Sequence, residues 1–146
     1  MPAELNMSVS EREQFLADLH VGLLAVNRPG APPTVSPIWY EYEPGGDVQF
    51  NTDLGAVKHT ALEVAGEASL CAQREEYPYA YVTVEGPIAI EAATMEQRTR
   101  IAARYLGDEG GAAYVKSSAE EPVVLVRLTP RRWFTQDFAR FSLPSS

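Results

Sequence analysis

From Ala80 to Glu91 apolar and polar residues alternate, and the alternation runs straight through Gly86-Pro87. Alternation of this length marks a strand with one face buried. Proline has no N–H for a ladder, and glycine has no side chain to pack. A strand carrying both at its centre must kink or bulge there, as small barrels need at their corners. Pro37 interrupts a second run, Thr34 to Tyr42, whose Val35, Ile38, Trp39, Tyr40 and Tyr42 favour strand. That position belongs at a sheet edge, at a bulge, or where a ligand replaces the neighbouring strand.

The other segments fit the same plan. Val21 to Val26 is a short apolar run closed by Asn27-Arg28-Pro29-Gly30, hence a buried strand and a turn. Pro44-Gly45-Gly46-Asp47 is a turn, and Val48 to Thr52 alternates behind it, completing a hairpin. Ala68–Ala72 and Val123–Leu128 are further strands. Pro130 interrupts the last of these, and Trp133-Phe134-Thr135 continues it. Three helices are expected. The first is capped by Ser8 or Ser10, with Phe15, Leu16 and Leu19 as its apolar face. The second runs from Ala56 to Ala65 and ends at Gly66. The third opens at Thr94 with Gln97 in a capping-box pattern, buries Ile101, Ala102, Tyr105 and Leu106, and ends at Gly107. Residues 107–121 read as surface loop with a little helix near Ala112–Lys116. Many short strands in hairpin order, several with a central Pro or Gly, predict a mainly β chain: a small antiparallel barrel with helices outside it.

Composition removes several function classes. The 146 residues suit one domain, with residues 1–9 and 140–146 expected as loose termini. A net charge of −8 disfavours sequence-independent nucleic-acid binding, because the phosphate backbone selects basic faces. No apolar run is long enough to span a bilayer, and the N-terminus lacks a signal-peptide core, so no membrane partner is expected. The single cysteine, Cys71, excludes an internal disulfide and a Cys-based zinc site, and a cytoplasmic location follows as the simplest expectation. It reads as a buried, inert thiol in an apolar strand. Neither histidine stands in a nucleophile or metal motif. His20 follows a helix C-terminus, and His59 is expected on the exposed side of the second helix. The acidic pairs Glu75-Glu76 and Glu120-Glu121 read as solvated faces. No metal site and no catalytic acid or base is identified.

One segment carries chemistry. Val35-Ser36-Pro37-Ile38-Trp39-Tyr40 is followed by Phe50-Asn51-Thr52 and then by Lys58, one of only two lysines. A hydroxyl at a strand end and a lysine in the first turn of a helix can hold a phosphate beside free helix N–H groups. The alternative is a plain strand–helix junction with a surface lysine. The gap that Pro37 leaves in the ladder could present backbone groups to a flat heteroaromatic ring. Trp39, Tyr77, Tyr79, Tyr81, Trp133 and Phe134 exceed what a small barrel encloses, which suits a mixture of core and dimer interface.

Gly22-Leu23-Leu24-Ala25, Val35 to Tyr40, Phe50-Asn51-Thr52 with Lys58, Tyr79 to Pro87, Ala103 to Gly107 and Val126 to Trp133 follow one another in a fairly specific order over residues 12–138. In this order the chain resembles the split β-barrel superfamily of pyridoxamine 5′-phosphate oxidase, and within it the small proteins that use FMN or the deazaflavin F420. The resemblance implies a split antiparallel β-barrel of the FMN-binding type and a homodimer with two cofactor sites in the dimer cleft. It implies an oxidoreductase that transfers hydride to or from a small hydrophobic or conjugated substrate, F420 or FMN doing the chemistry. The ring would lie against Ser36, Pro37, Ile38, Trp39, Phe50, Asn51 and Thr52, and the phosphate near Thr52 and Lys58. Trp133 to Gln136 or Tyr77 to Tyr81 of a second subunit would cover the ring.

One departure bears on the cofactor. Relatives usually place an Arg one or two residues before the lysine and further basic residues after it. This chain has Ala56-Val57 before Lys58 and His59-Thr60-Ala61 after it. Three readings follow: weak F420 binding, FMN in its place, or a barrel that has lost its cofactor. A non-catalytic flavin or deazaflavin carrier is the alternative to the enzyme. Under the cofactor-binding readings, Lys58→Ala weakens cofactor affinity by about 1.5–3 kcal/mol, the range for a charge-assisted hydrogen bond. An unchanged dissociation constant in an equilibrium titration would take Lys58 out of the site.

Overall fold

A computed structural model describes residues 3–141. After a 3₁₀ turn at Ala3–Leu5 come α1 (Val9–Ala17), β1 (Gly22–Arg28), β2 (Ala31–Ile38), β3 (Tyr40–Glu41) and β4 (Val48–Asp53). They are followed by α2 (Val57–Ala65), β5 (Glu67–Arg74), β6 (Ala80–Ala92), α3 (Met95–Ser117), β7 (Val123–Leu128), β8 (Arg132–Asp137) and a 3₁₀ turn at Phe138–Arg140. Every strand pair is antiparallel.

The strands pair in the order β2-β1-β5-β6-β7-β4-β3, with β8 also on β6. The two ends of that path, β2 and β3, are consecutive in sequence and separated only by Trp39. The sheet must therefore curl until its ends meet. This is the expected mainly β architecture, a split barrel with peripheral helices. Pro37 sits on β2, an end strand of the path, where its missing N–H costs no ladder bond.

β6 is where the sheet turns. Its first half pairs with β5 on one side and β8 on the other, and its last residues pair with β7. Between Glu85↔Arg132 and Ile88↔Leu128, the two residues Gly86 and Pro87 oppose three, Thr129 to Arg131, so β7 and β8 form one course with a bulge. Thr129 N–H donates to Pro87 O at 3.0 Å, and Arg131 N–H donates to Glu85 O at 2.8 Å. The expected kink is thus present, and the break at Pro130 is its partner on the facing strand.

Inward positions of the alternating strands form the core. Leu24, Val26, Phe50, Leu70, Val82, Val84, Val126 and Leu128 meet Leu16 of α1 and Leu62 of α2 there. Ser8 caps α1 in a full capping box with Glu11. Glu11 also pairs with Arg140, and these partners hold its carboxyl down at about 2.

Several expectations need correction. Of the lead-in expected to be loose, residues 3–7 are held in place, because Leu5 is 1% exposed and Met7 N–H bonds Thr135 Oγ1 at 2.9 Å, and residues 1 and 2 lie outside the described ones. Arg140 is likewise tied to Asn6 O and Glu11, and residues 142–146 lie outside the described ones. Leu19 falls beyond α1 and is 59% exposed, and Leu106 is also exposed. The strand expected from Thr34 to Tyr42 breaks at Trp39. Residues 108–117 are helix and not loop: Gly107 (φ 78°) interrupts α3, which then resumes. Gly111 permits this, since a Cβ there would lie 2.6 Å from Ala103 N on the preceding half. Cys71 is half-buried on the outer face of the sheet rather than in the core.

Gly86 is the least replaceable position of the bend. A Cβ on it would stand 1.8 Å from Thr129 O, which is backbone and cannot swing aside. Gly86→Ala is expected to destabilise the fold by about 3 kcal/mol, the upper part of the range for overpacking, read from urea midpoints at unchanged slope.

Candidate functional site

The candidate site begins where β4 ends. Val48, Phe50 and Thr52 point into the barrel, whereas Gln49, Asn51 and Asp53 point out toward α3. After Asp53 the chain turns through Gly55 (φ 81°) into α2. The N-cap of α2 is Ala56, which has no side chain able to cap, so its first N–H groups lack the usual partner. Lys58 stands in this first turn and has no ion-pair partner among the described residues. Thr52 is 6% exposed, and its Oγ1 has no hydrogen-bond partner.

These groups border a cleft of about 340 Å³ between the sheet and α3. Pro37, Ile38 and Trp39 form one wall. Asn51, Thr52, Asp53 and Lys58 form the floor. Arg98, Ile101 and Ala102 from the first half of α3, and Tyr114 and Val115 from the second, close the other side. One part of the cleft is thus apolar, and the other holds two cations and the carboxylates of Asp53 and Glu121.

Trp39 is the hinge of this arrangement. Its ring stacks on Tyr105 (centroids 5.2 Å apart, 9° between planes) and leans on Tyr114 at 5.3 Å. The two tyrosines lie on either side of the break at Gly107, so one indole holds both halves of α3. Tyr105 Oη accepts from Tyr40 N–H at 3.0 Å and donates to His20 O at 2.7 Å. Tyr40 N–H is therefore spent on a side chain, which is why the strand cannot run on unbroken through Trp39. Tyr40 Oη in turn donates to Leu16 O at 2.7 Å. Burial pushes both phenols up, which keeps them neutral donors.

Of the nine residues singled out in the sequence, Pro37, Ile38, Trp39, Asn51, Thr52 and Lys58 line this one cleft. Asn51 forms a reciprocal amide pair with Gln97, at 2.9 and 3.2 Å. Gln97 therefore does not complete the expected capping box: Thr94 caps α3, while the Gln97 side chain turns to the sheet. Ser36 faces the interior of the barrel with its Oγ buried and unpartnered, outside the cleft lining. Phe50 is wholly buried in the core. Trp133 is outside the cleft lining and packs against the core, edge-on to Tyr42 at 6.2 Å and under the Arg12 guanidinium at 4.5 Å.

Two residues were missed. Arg98 brings a second cation to the cleft from a different element, held by Ser118 O and Oγ at 3.1 Å each. It stands forty residues along the chain from Lys58, so no local motif could reveal it. His59, expected to be exposed, is 6% exposed and pairs through both ring nitrogens. Glu63 four residues on was the available signal.

No protein-family model and no curated protein matches the sequence. Solved structures do. Rv2991 from Mycobacterium tuberculosis, described as a conserved hypothetical protein, superposes with TM-score 0.78 at 23% identity, over 99% of this chain and 94% of that one. An F420 reductase gives TM-score 0.68 at 19% identity, over 84% and 94%. A Listeria innocua protein assigned as a pyridoxamine 5′-phosphate oxidase gives 0.63 at 10% identity, over 87% and 96%. The fold is the pyridoxamine 5′-phosphate oxidase-like split β-barrel. Other chains of this fold include a FAD-binding protein from Mesorhizobium loti and the haem storage protein HutZ from Vibrio cholerae, at 18% and 19% identity. Likeness at these identities establishes the fold. In this split barrel no helix among the described residues is long and apolar enough to cross a membrane, and no cluster of His, Cys, Asp and Glu among them could hold a metal ion.

Tyr105→Phe removes one hydroxyl and leaves Tyr40 N–H and His20 O short of a partner. A loss of about 1–3 kcal/mol in unfolding free energy is expected. Thermal melts followed by indole fluorescence will also report the loosened stack on Trp39.

Proposed function

We propose that this split barrel binds a phosphate-bearing flavin-type cofactor, FMN or F420, in the cleft beside Trp39, and works as an oxidoreductase on a small hydrophobic or conjugated substrate. The observation that carries the reading is the unpartnered hydroxyl of the buried Thr52, beside an uncapped helix N-terminus and an unpaired Lys58. Buried polar groups are nearly always satisfied, so an orphan hydroxyl at such a place favours a ligand that supplies the acceptor. The donor set fits an anionic phosphate: a hydroxyl, free backbone N–H groups and two cations, Lys58 and Arg98. Arg98 offsets the missing basic residues around Lys58, and Asp53 and Glu121 keep the cleft from being strongly basic.

The bound cofactor would supply hydride transfer. The chain's part is to hold and orient. Pro37 to Trp39 offer a flat apolar wall for a ring, and α3 shields it from water. A carrier protein with the same cleft is the second reading, favoured by a lining that holds neither histidine nor cysteine to move a proton near neutral pH. Haem fits less well: among the lining residues only Tyr114 is of a type that ligates haem iron.

A homodimer belongs to the proposal. Pro37, Leu23, Cys71, Thr83 and Phe134 stand in register across β2, β1, β5, β6 and β8 on the outer face. Leu23 and Phe134 are exposed there, with Val35 alongside. A row of this kind over five strands suits a second copy.

The test is a fluorescence-monitored titration of the folded, ligand-free protein with FMN, F420 and haem in parallel, with light scattering for the dimer. Micromolar or tighter binding of FMN or F420 is expected, and Thr52→Val should weaken it by roughly tenfold, the loss of a hydrogen bond to a charged group. Turnover of bound reduced cofactor with an acceptor separates enzyme from carrier. Binding of haem alone, or of none of the three, overturns the reading.

A further inference from the structure

The loop that delivers Lys58 is held from behind by one imidazole. Gly55 N–H donates to His59 Nδ1 at 2.9 Å, and His59 Nε2 lies 2.7 Å from Glu63 Oε1. Nδ1 accepts, so it carries no proton, and Nε2 carries the hydrogen that Glu63 receives. The ring thus bridges the Gly55 turn and the second turn of α2. His59 is the third residue of the helix, the position from which a Glu or Gln reaches back in a capping box. Here the reach extends one residue further, past Ala56 to Gly55.

Resting on the proposed anion site, we infer that His59 is a positioning residue for it: the neutral imidazole fixes the loop from Asp53 to Ala56, which sets Lys58 and the first N–H groups of α2 relative to Thr52. It does not touch the ligand, since it lies behind the helix and outside the cleft lining. A Cβ on the left-handed Gly55 would meet nothing within 4 Å, so no side chain packs on the turn there. Leu54 N–H bonds Pro122 O at 3.0 Å and Ala56 N–H bonds Asp53 O at 3.1 Å, and the His59 bond adds the side-chain tie between this loop and α2. The charged groups around the ring are Glu63 and Lys58 on α2 and Asp53 at the end of β4. The inward positions of β1, β2, β4 and β5, against which α2 packs, are uncharged: Leu24 and Val26, Ser36 and Ile38, Phe50 and Thr52, Leu70 and Ala72.

The test compares the full-length wild type with His59→Gln and His59→Ala, using FMN as probe, or F420 where FMN does not bind. Gln keeps an acceptor for Gly55 N–H. His59→Gln should bind like wild type, and His59→Ala roughly three- to tenfold more weakly, the loss of one hydrogen bond. Wild-type affinity in His59→Ala, or a loss in His59→Gln equal to that in His59→Ala, would overturn the inference. Should neither FMN nor F420 bind, the anion-site reading fails by itself. Amide exchange then decides: Gly55 N–H should be protected in wild type and His59→Gln and unprotected in His59→Ala, and equal exchange in all three sinks the role of His59.

Discussion

The carbonyl of Thr129 occupies the space where any residue but glycine would put a Cβ at position 86. This close approach lets the β7–β8 course follow β6 through its bend, two residues on one strand against three on the other. The bend lets one strand serve both halves of the sheet. The curl that results brings β2 and β3 together with only Trp39 between them. The cleft lies beside that join, so its position follows from a backbone contact on another part of the barrel.

Trp39 turns the join into a site. Because Tyr40 gives its N–H to Tyr105, the ladder stops there, and the indole lies between two tyrosines of α3. The helix is broken at Gly107 and folded back with Gly111 against Ala103, so both of its halves reach the same ring. Asn51 and Gln97 pin the start of α3 to β4 by a paired amide contact. Together these contacts keep a roofed space open next to an unsatisfied hydroxyl and a helix N-terminus. Close packing would ordinarily fill such a space, and polar groups would ordinarily find partners in it.

Much of the fold was legible in particular residues. Gly86-Pro87 marked the bend, Pro37 an edge or bulge position, Pro130 a break before the last strand, and Ser8 or Ser10 the cap of the first helix. These are local rules, decided within a few residues by missing N–H groups, missing Cβ atoms and reach of a short side chain. The glycines of α3 misled for the same reason. Gly107, Gly110 and Gly111 suggest a loop by propensity, yet Gly111 is there so that two helical segments can touch, which is a tertiary fact. His59 appeared exposed because its helix is short and polar around it, whereas its ring is buried and fully paired.

The site divides along the same line. Alternation placed Thr52 at the end of a strand, and spacing placed Lys58 in the first turn of the next helix, so the chain by itself determined a junction with a hydroxyl and a lysine close together and the mainly β barrel that carries it. Sequence periodicity states which face of an element a residue occupies, but not which distant element meets that face. Only the tertiary structure brought Arg98 across from α3 and stacked Trp39 on Tyr105. It also tied Asn51 to Gln97, sealed Phe50 in the core and packed Trp133 against the core under Arg12, away from the cleft. The reason is physical: these contacts depend on strand register and helix phase summed over the whole curled sheet.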